Sequence, residues 1–225
     1  MRMLGRTATV LGLAFLAQTP SLRAQSIIGF DSFKWYIGGQ AGLTIFETPA
    51  QTRGAIFTAG GNLLITARRT GLQIAIEEGI KKNQFSAYSD PSSPTGTRQV
   101  IFNDIRKYSF TLLAFPIKAA AQPYVGVGFG ILETAKEYPQ GTFVSKAEQE
   151  AADSTANARG SYGFGTLVGG IQFRVDRFAL FGQYQITSSP PARKLFTGPT
   201  HSLMAGLRVS LGKAREDGPG GGESP

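Results

Sequence analysis

Apolar and small polar residues alternate along eight separate stretches of the chain. In the first stretch, Trp35, Ile37, Leu43 and Ile45 share one parity, and the positions between them hold Tyr, Gly, Gln and Thr. Because successive side chains of a strand point to opposite faces, this pattern predicts a strand with one apolar and one small, mostly polar face. The eight predicted strands are Trp35–Ile45, Ala55–Thr66, Gly71–Glu77, Lys107–Ala114, Tyr124–Ile131, Thr166–Arg174, Phe178–Thr187 and Ser202–Leu211.

Two local features depart from this alternation. Tyr162 and Phe164 have the opposite phase to the rest of the sixth stretch, which predicts a β-bulge near Gly165. The polar segment from Glu148 to Ala158 is either a short helix within a loop or a mobile segment, and the mobile segment is the favoured interpretation.

The predicted connections alternate between longer and short. The short ones are Ala67 to Arg69, Pro116 to Gln122 and the turn at Asp176, and the longer ones are Glu47 to Arg53, Lys81 to Asp104, Glu133 to Gly160 and Ser188 to Pro199. Long loops at one end, short turns at the other and an even number of strands are typical of bacterial transmembrane β-barrels. The sequence therefore predicts an all-β fold, an eight-stranded antiparallel up-and-down transmembrane β-barrel.

The composition of the second face distinguishes a membrane barrel from a soluble one. A soluble barrel of the lipocalin type would turn its apolar face inward and expose the other face to water. That other face is made mainly of Gly, Ser, Thr, Ala, Gln and Asn with few charges, whereas a water-exposed face carries many Lys and Glu. Small residues suit the narrow lumen of eight strands, and glycine lets strands bend until the barrel closes. The membrane barrel is therefore the favoured interpretation.

Four charged residues are candidates for a site inside the lumen: Glu77, Lys107, Arg174 and Arg208, with Lys34 near one mouth. Buried charges need partners, so we expect Glu77 to pair with an inward cation and to brace or plug the lumen. The alternative is that these groups are solvated near the barrel ends. On the apolar face, aromatic residues near the strand ends predict two interfacial girdles, formed by Trp35, Phe173 and Phe178 at the turn end and by Tyr108, Phe129 and Tyr184 at the loop end.

The two ends of the chain differ from the predicted barrel in composition. Residues 1–24 combine Arg2 and Arg6 with a short apolar run and a small residue at Ala24, which predicts a cleavable signal peptide. Residues 25–212 form the predicted barrel. Residues 213–225 are rich in Gly and Pro, which predicts a disordered tail. Removal of the leader, which also contains Arg23, lowers the formal charge from +8 to +5 and leaves no clustered basic stripe for nucleic acid.

Composition excludes several kinds of site among the 225 residues. The absence of cysteine rules out disulfides, cysteine metal sites and thiol nucleophiles, and a single histidine rules out a multi-histidine metal centre. We therefore expect neither a metal nor a cofactor.

Two segments resemble a known family. The run from Gln122 to Gly130, read as Gln-Pro-Tyr-Val-Gly-Val-Gly-Phe-Gly, is similar to a strand of the bacterial outer-membrane β-barrel domain family, whose fold is that of the transmembrane part of outer membrane protein A. The run from Gly206 to Leu211 resembles the β-signal read by the barrel assembly machinery, although it ends in Leu rather than Phe and a tail follows it. The resemblance implies an outer-membrane barrel without a defined catalytic residue.

The function that these observations favour is a non-enzymatic outer-membrane protein with a structural or surface-interaction role. Its contact surface would be the long loops Lys81 to Asp104 and Glu133 to Gly160, and its partners outer-membrane lipid, lipopolysaccharide and, during biogenesis, the barrel assembly machinery. No nucleic-acid partner is expected, and the protein is expected to be a monomer. One alternative is a narrow, porin-like channel for a small solute or a hydrophobic ligand. The other is a lipid-modifying enzyme built on His201, for which the required serine position two residues later holds Leu203 while Ser202 points to the other face.

Overall fold

The computed structural model describes residues 33–117 and 119–211. The predicted signal peptide, residues 1–24, and the predicted tail, residues 213–225, lie outside the described residues. The elements are β1 (Phe33–Thr48), β2 (Gln51–Ala67), β3 (Thr70–Ser89), β4 (Thr97–Ala114), β5 (Ala121–Ala135), β6 (Tyr138–Pro139), α1 (Lys146–Gly160), β7 (Ser161–Val175), β8 (Phe178–Thr187) and β9 (His201–Ser210).

Eight of the strands form a closed antiparallel ring. The hydrogen-bonded order is β3-β2-β1-β9-β8-β7-β5-β4, and pairing between β3 and β4 closes it. The two-residue strand β6 pairs with β4 above the ring, opposite Val100 and Ile101. Closure gives each strand of the ring a partner on both sides, so no long edge is left unpaired. The predicted all-β, eight-stranded up-and-down barrel is confirmed.

The prediction of a loop from Lys81 to Asp104 is wrong. Most of it belongs to the barrel wall, since β3 continues to Ser89, β4 begins at Thr97, and only residues 90–96 connect them. A β-bulge in β3 between Ile80 and Gln84 explains the error, because it reverses the inward and outward parity above it. The regular alternation therefore ends at the bulge although the strand does not. The first connection is also shorter than expected, with two residues between β1 and β2.

The structure differs from the prediction both near Gly165 and in the segment from Glu148 to Ala158. The prediction of a β-bulge near Gly165 is wrong, because β7 pairs with β5 and β8 without a register shift. Tyr162 and Phe164 face the lumen as buried side chains. The segment around Glu148 is helical rather than irregular. The Ser145 hydroxyl accepts a hydrogen bond from the Glu148 amide at the start of α1, and the Glu148 carboxylate accepts one from the Val144 amide. These contacts resemble a capping box, which satisfies amides that a helix start leaves open.

Glycines on the inward face allow neighbouring strands to approach closely. A Cβ atom on Gly60 would lie 2.0 Å from the carbonyl oxygen of Ile76, and one on Gly42 would lie 1.9 Å from that of Leu203. Both distances are too short for any non-bonded contact, so a larger residue would push the strands apart.

Other inward glycines are covered by aromatic rings of the next strand. The cross-strand pairs are Phe46–Gly54, Tyr124–Gly170, Phe164–Gly130 and Phe181–Gly206. In each pair, a ring atom lies within 2.5 to 2.7 Å of where the glycine's Cβ would be, so the ring fills the space that a side chain would take. This arrangement shields a weak point of the strand and packs the lumen at the same time.

We expect Gly60→Ala to lower the free energy of unfolding by about 1–3 kcal/mol, because the new methyl group would force β2 away from β3. The control is Gly169→Ala, at a site with no atom within 4 Å of the added Cβ, and it should change stability by less than about 0.5 kcal/mol. Urea unfolding of the protein in lipid vesicles measures both. Equal effects of the two substitutions would contradict the close strand approach at Gly60.

Candidate functional site

The outer wall of the barrel is an apolar belt. Its exposed large apolar side chains are Phe33, Trp35, Ile37, Leu43, Ile45, Phe57, Ile76, Phe110, Leu112, Val125, Val127, Phe129, Ile131, Leu167, Ile171, Phe173, Val175, Phe178, Leu180, Tyr184, Leu203 and Leu207. Among the described residues, the outward positions within the belt carry no charged side chain. From His201 on β9 to Leu211, the residue after this strand, the outward face spans roughly 26 Å, at about 3.4 Å per residue and a strand tilt of about 40°. An apolar surface of this extent and height matches the hydrocarbon layer of a membrane.

All six residues predicted for the aromatic girdles lie on this outer wall. Five of them are exposed, and Tyr108 is half-buried with its hydroxyl 3.3 Å from the Glu133 carboxylate. Phe129 stacks on Phe110 of β4 with ring centroids 5.6 Å apart. The prediction left out the exposed rings of Phe33, Phe57, Phe85 and Phe110, although all but Phe85 continue the regular alternation.

A charged row ends the belt on three adjacent strands. Arg106 of β4 lies between Glu78 of β3 and Glu133 of β5 in the cross-strand register. Its guanidinium Nε lies 3.2 Å from the Glu78 carboxylate, and both side chains are nearly half exposed. We call Glu78, Arg106 and Glu133 the charged row.

The middle of the lumen holds a buried ion pair. The Lys107 Nζ lies 2.6 Å from the Glu77 carboxylate, and the two residues are 3% and 1% exposed. Lys107 also donates hydrogen bonds to Gln185 at 2.8 Å and to Ser202 at 3.1 Å, which reach it from β8 and β9. The second Glu77 oxygen accepts a hydrogen bond from Gln40. The lysine therefore connects opposite sides of the barrel.

A chain of amides leads from this ion pair to a second buried cation. Gln40 accepts a hydrogen bond from Asn62 at 2.9 Å, and Asn62 accepts one from the Arg208 Nε at 2.7 Å. Arg208 is completely buried, donates also to Gln73 at 3.0 Å, and lies 3.7 Å from the centroid of the Phe181 ring. Amide oxygens and a ring face, rather than a carboxylate, thus surround this guanidinium.

Arg174, the fourth charge predicted for the lumen, lies at its turn end. Its guanidinium is 5.5 Å from the Tyr36 ring centroid and 5.9 Å from that of Phe115. Lys34 is exposed at the same mouth. The structure therefore brings Glu77, Lys107 and Arg208 into one hydrogen-bonded network and places Arg174 against aromatic rings.

Two apolar clusters close the lumen on either side of the polar network. The turn-end cluster contains Tyr36, Leu64, Leu113, Phe115, Tyr124 and Val168. The loop-end cluster includes Phe46, Phe102, Tyr162 and Phe164, and the segment between β8 and β9 adds Leu195 and Phe196, which are 0% and 2% exposed. The Phe196 ring lies 5.5 Å from the Phe46 ring and 5.9 Å from the Tyr162 ring. This plug was not predicted, and its only sequence signal is the adjacent apolar pair at 195 and 196.

Above the plug, a buried arginine joins three segments into a loop-end cap. Arg98 is 2% exposed; its Nε donates to Asp90 in the β3–β4 connection, and its Nη2 donates to Glu148 of α1 at 2.9 Å. Its guanidinium also lies 4.4 Å from the centroid of Phe143, in the segment before α1. We call residues 88–98 and 136–160 the loop-end cap. Arg98 was not predicted, because its position lay inside the supposed polar loop.

The contacts between Arg98 and Asp90, which we call the clamp, favour the charged forms of both side chains. Hydrogen bonds from Ser92 and from Arg98 lower the pKa of Asp90 to about 2, and the bond to Asp90 raises the pKa of Arg98. Because the folded-state pKa of Asp90 lies below its ordinary value, its contribution to stability is present above about pH 4 and is lost as the pH falls towards 2.

We expect Arg98→Leu to release the cap while leaving the barrel folded. Loss of charged hydrogen bonds worth about 2 kcal/mol should raise amide hydrogen exchange in α1 roughly 30-fold. In the unsubstituted protein, exchange in α1 corrected for its intrinsic pH dependence should rise as the pH falls from 4 towards 2. The matched control is Lys146→Leu, which removes an exposed ion pair to Glu150 and should leave the exchange unchanged. Unaltered protection of α1 in the Arg98 variant would contradict the clamp.

His201, the candidate for enzymatic chemistry, lies on the outer wall at the loop end of β9. Its Nδ1 is 2.5 Å from the Tyr184 hydroxyl, and its cross-strand neighbours are Ile45 and Ile186. The adjacent Ser202 points into the lumen, where its hydroxyl lies 3.0 Å from that of Thr44. Histidine and serine are therefore on opposite faces of the barrel wall. No helix within residues 33–117 and 119–211 is long and apolar enough to cross a membrane.

The barrel is similar to two solved structures. The crystal structure of Neisserial surface protein A (NspA) has a TM-score of 0.51 and 11% sequence identity, over 78% of this chain and 96% of that one. The chain has the eight-stranded barrel fold. The crystal structure of the N-terminal β-barrel domain of Pseudomonas aeruginosa OprF covers 79% of this chain and 97% of its own, with a TM-score of 0.46 and 9% identity. No protein-family model matches the barrel's sequence, and no curated protein matches it.

Proposed function

We propose that this protein is an integral outer-membrane barrel whose work is done by its loop-end cap, outside the cell. The observation that carries the proposal is the inverted distribution of polarity. Large apolar side chains cover the outer wall, whereas Glu77, Lys107 and Arg208 are buried inside. Exposure of such a belt to water would be unfavourable, and a lipid bilayer is the solvent in which it is stable.

The filled lumen supports a structural or surface-interaction role over the porin-like alternative. The polar network in the middle and the apolar clusters at both ends place side chains along the barrel axis. Eight strands enclose an interior only wide enough for side chains. The charged groups brace the wall, in this proposal, because each bond of the network joins different strands.

The loop-end cap supports the surface-interaction role. Arg98 connects the two segments of the cap through Asp90 and Glu148, and a cavity of about 330 Å³ lies between the β3–β4 connection and α1, lined among others by Tyr88 and Arg159. A rigid scaffold that presents loops is the usual arrangement for binding. For the enzymatic alternative, the geometry at His201 offers a tyrosine hydroxyl as the near polar partner, and the neighbouring serine faces the lumen.

The test has two arms. Unheated protein from the membrane fraction should migrate faster on a gel than boiled protein, as compact barrels do, and it should pellet with membranes. The purified barrel in a planar bilayer should produce no steady conductance. Recovery in the soluble fraction without heat modifiability would overturn the membrane assignment, while stable single-channel steps would favour the channel. An activity on lipid A that His201→Ala abolishes would favour the enzyme.

A further inference from the structure

An apolar row lies on the outer wall above the belt, where the barrel extends beyond the charged row. Phe85 of β3, Ile101 of β4 and Tyr138 of β6 are directly opposite one another in the register and share the outward face. Phe85 is 46% and Tyr138 is 50% exposed, and Ile101 between them is half-buried. Adjacent apolar side chains of this kind, beyond the lipid-facing belt, are typical of an interaction surface.

The height of the row identifies the layer that it meets. On β4, Ile101 is five residues above Arg106 of the charged row. At about 3.3 Å per residue and a tilt of about 40°, the two levels are roughly 13 Å apart. The apolar row therefore lies outside the hydrocarbon layer but within reach of the headgroups of the outer leaflet.

The chemistry around the row fits sugars. Two exposed amide side chains, Gln99 and Gln140, flank it, and their backbones are joined by a 2.8 Å hydrogen bond. Aromatic rings stack on the apolar faces of sugar rings, while amides donate to and accept from hydroxyl groups. Below the row, Lys81 is exposed, and Arg106 is nearly half exposed between the carboxylates of Glu78 and Glu133. Above the apolar belt and the mixed-sign charged row, the wall thus presents aromatic and amide side chains at the level of the sugars of a glycolipid.

We infer that Phe85, Ile101 and Tyr138, with Gln99 and Gln140, form a binding surface for the core oligosaccharide of lipopolysaccharide. The inference rests on the proposed function, since it assumes the outer leaflet as the surrounding layer. The position of the row directly above the lipid-facing belt, with Phe85 and Ile101 on the belt strands β3 and β4, favours a lipid-borne sugar over a free one.

The first experiment uses the barrel folded in detergent micelles and soluble core oligosaccharide freed of lipid. Saturation-transfer NMR should show contact with the sugar, and Phe85→Ala/Tyr138→Ala should weaken the affinity about tenfold or more. Tyr138→Phe, which keeps the ring, should retain most of it. The control is Phe57→Ala/Phe178→Ala, which removes two exposed rings of the belt and should leave the sugar contact unchanged.

The second experiment separates lipid-borne from free sugar. In vesicles, the barrel should prefer lipopolysaccharide with its core over lipid A about tenfold, and the Phe85/Tyr138 double variant should lose that preference. Equal binding by parent and double variant in micelles would overturn the inference even if the barrel inserts into membranes. A sugar contact without any preference in vesicles would overturn the lipid-borne assignment. Failure of membrane insertion with an intact, ring-dependent sugar contact would instead count against the proposed function.

Discussion

Lys107→Met is expected to lower the free energy of unfolding by about 3–5 kcal/mol, because it leaves the Glu77 carboxylate charged and without a cation in the lumen. Urea titration of the protein in lipid vesicles, followed by fluorescence of Trp35, the one tryptophan of the chain, measures the change. The size of the effect follows from burial, since both side chains are almost inaccessible to solvent.

The matching double variant separates charge from packing. Glu77→Gln/Lys107→Met removes the unpaired charge while keeping an amide that can accept from Gln40, so most of the lost stability should return. A single-variant cost below about 1 kcal/mol would mean that the charges are solvated, which is the alternative stated for them above.

Val127→Arg is expected to destabilise the membrane-embedded barrel by about 2–4 kcal/mol. Val127 is 56% exposed on the outward face of β5, and it lies near the middle of the belt, six residues below Glu133 of the charged row. In a bilayer an arginine there would sit in hydrocarbon, whereas on a soluble barrel it would reach water at little cost.

The control for this substitution is Val144→Arg, at a side chain that is 98% exposed in the segment before α1. It should change stability by less than about 0.5 kcal/mol. Vesicle-based urea unfolding and the yield of heat-modifiable protein in membranes report both variants. If Val127→Arg is as harmless as Val144→Arg, the belt does not face lipid.

The inward or outward direction of most strand residues was predictable, because the two-residue period is a local property of an extended backbone. In the structure Glu77, Lys107 and Arg208 are buried in the lumen, and Trp35 and Phe129 are exposed on the outer wall. The period is also why the upper parts of β3 and β4 were mistaken for a loop. The bulge between Ile80 and Gln84 reverses the phase, and a reversed phase looks irregular in one dimension.

The partners within the lumen were not predictable in the same way. Glu77 and Lys107 face each other directly across β3 and β4, but Gln185 and Ser202 reach Lys107 from the far wall. Which residues meet across the barrel depends on the stagger that accumulates as the strands close on themselves. The same holds for Arg98, whose partners Asp90 and Glu148 come from separate connections that no periodicity constrains.

The sequence by itself determined the strand number, the up-and-down order and the two faces of the wall, because alternation and turn residues act between near neighbours in the chain. Only the tertiary structure decided that Leu195 and Phe196 plug the lumen and that amide side chains accept the hydrogen bonds of Arg208. It also decided that the upper wall carries the apolar row. These features arise from contacts between residues far apart in the chain, and closure of the barrel sets those contacts through register and stagger.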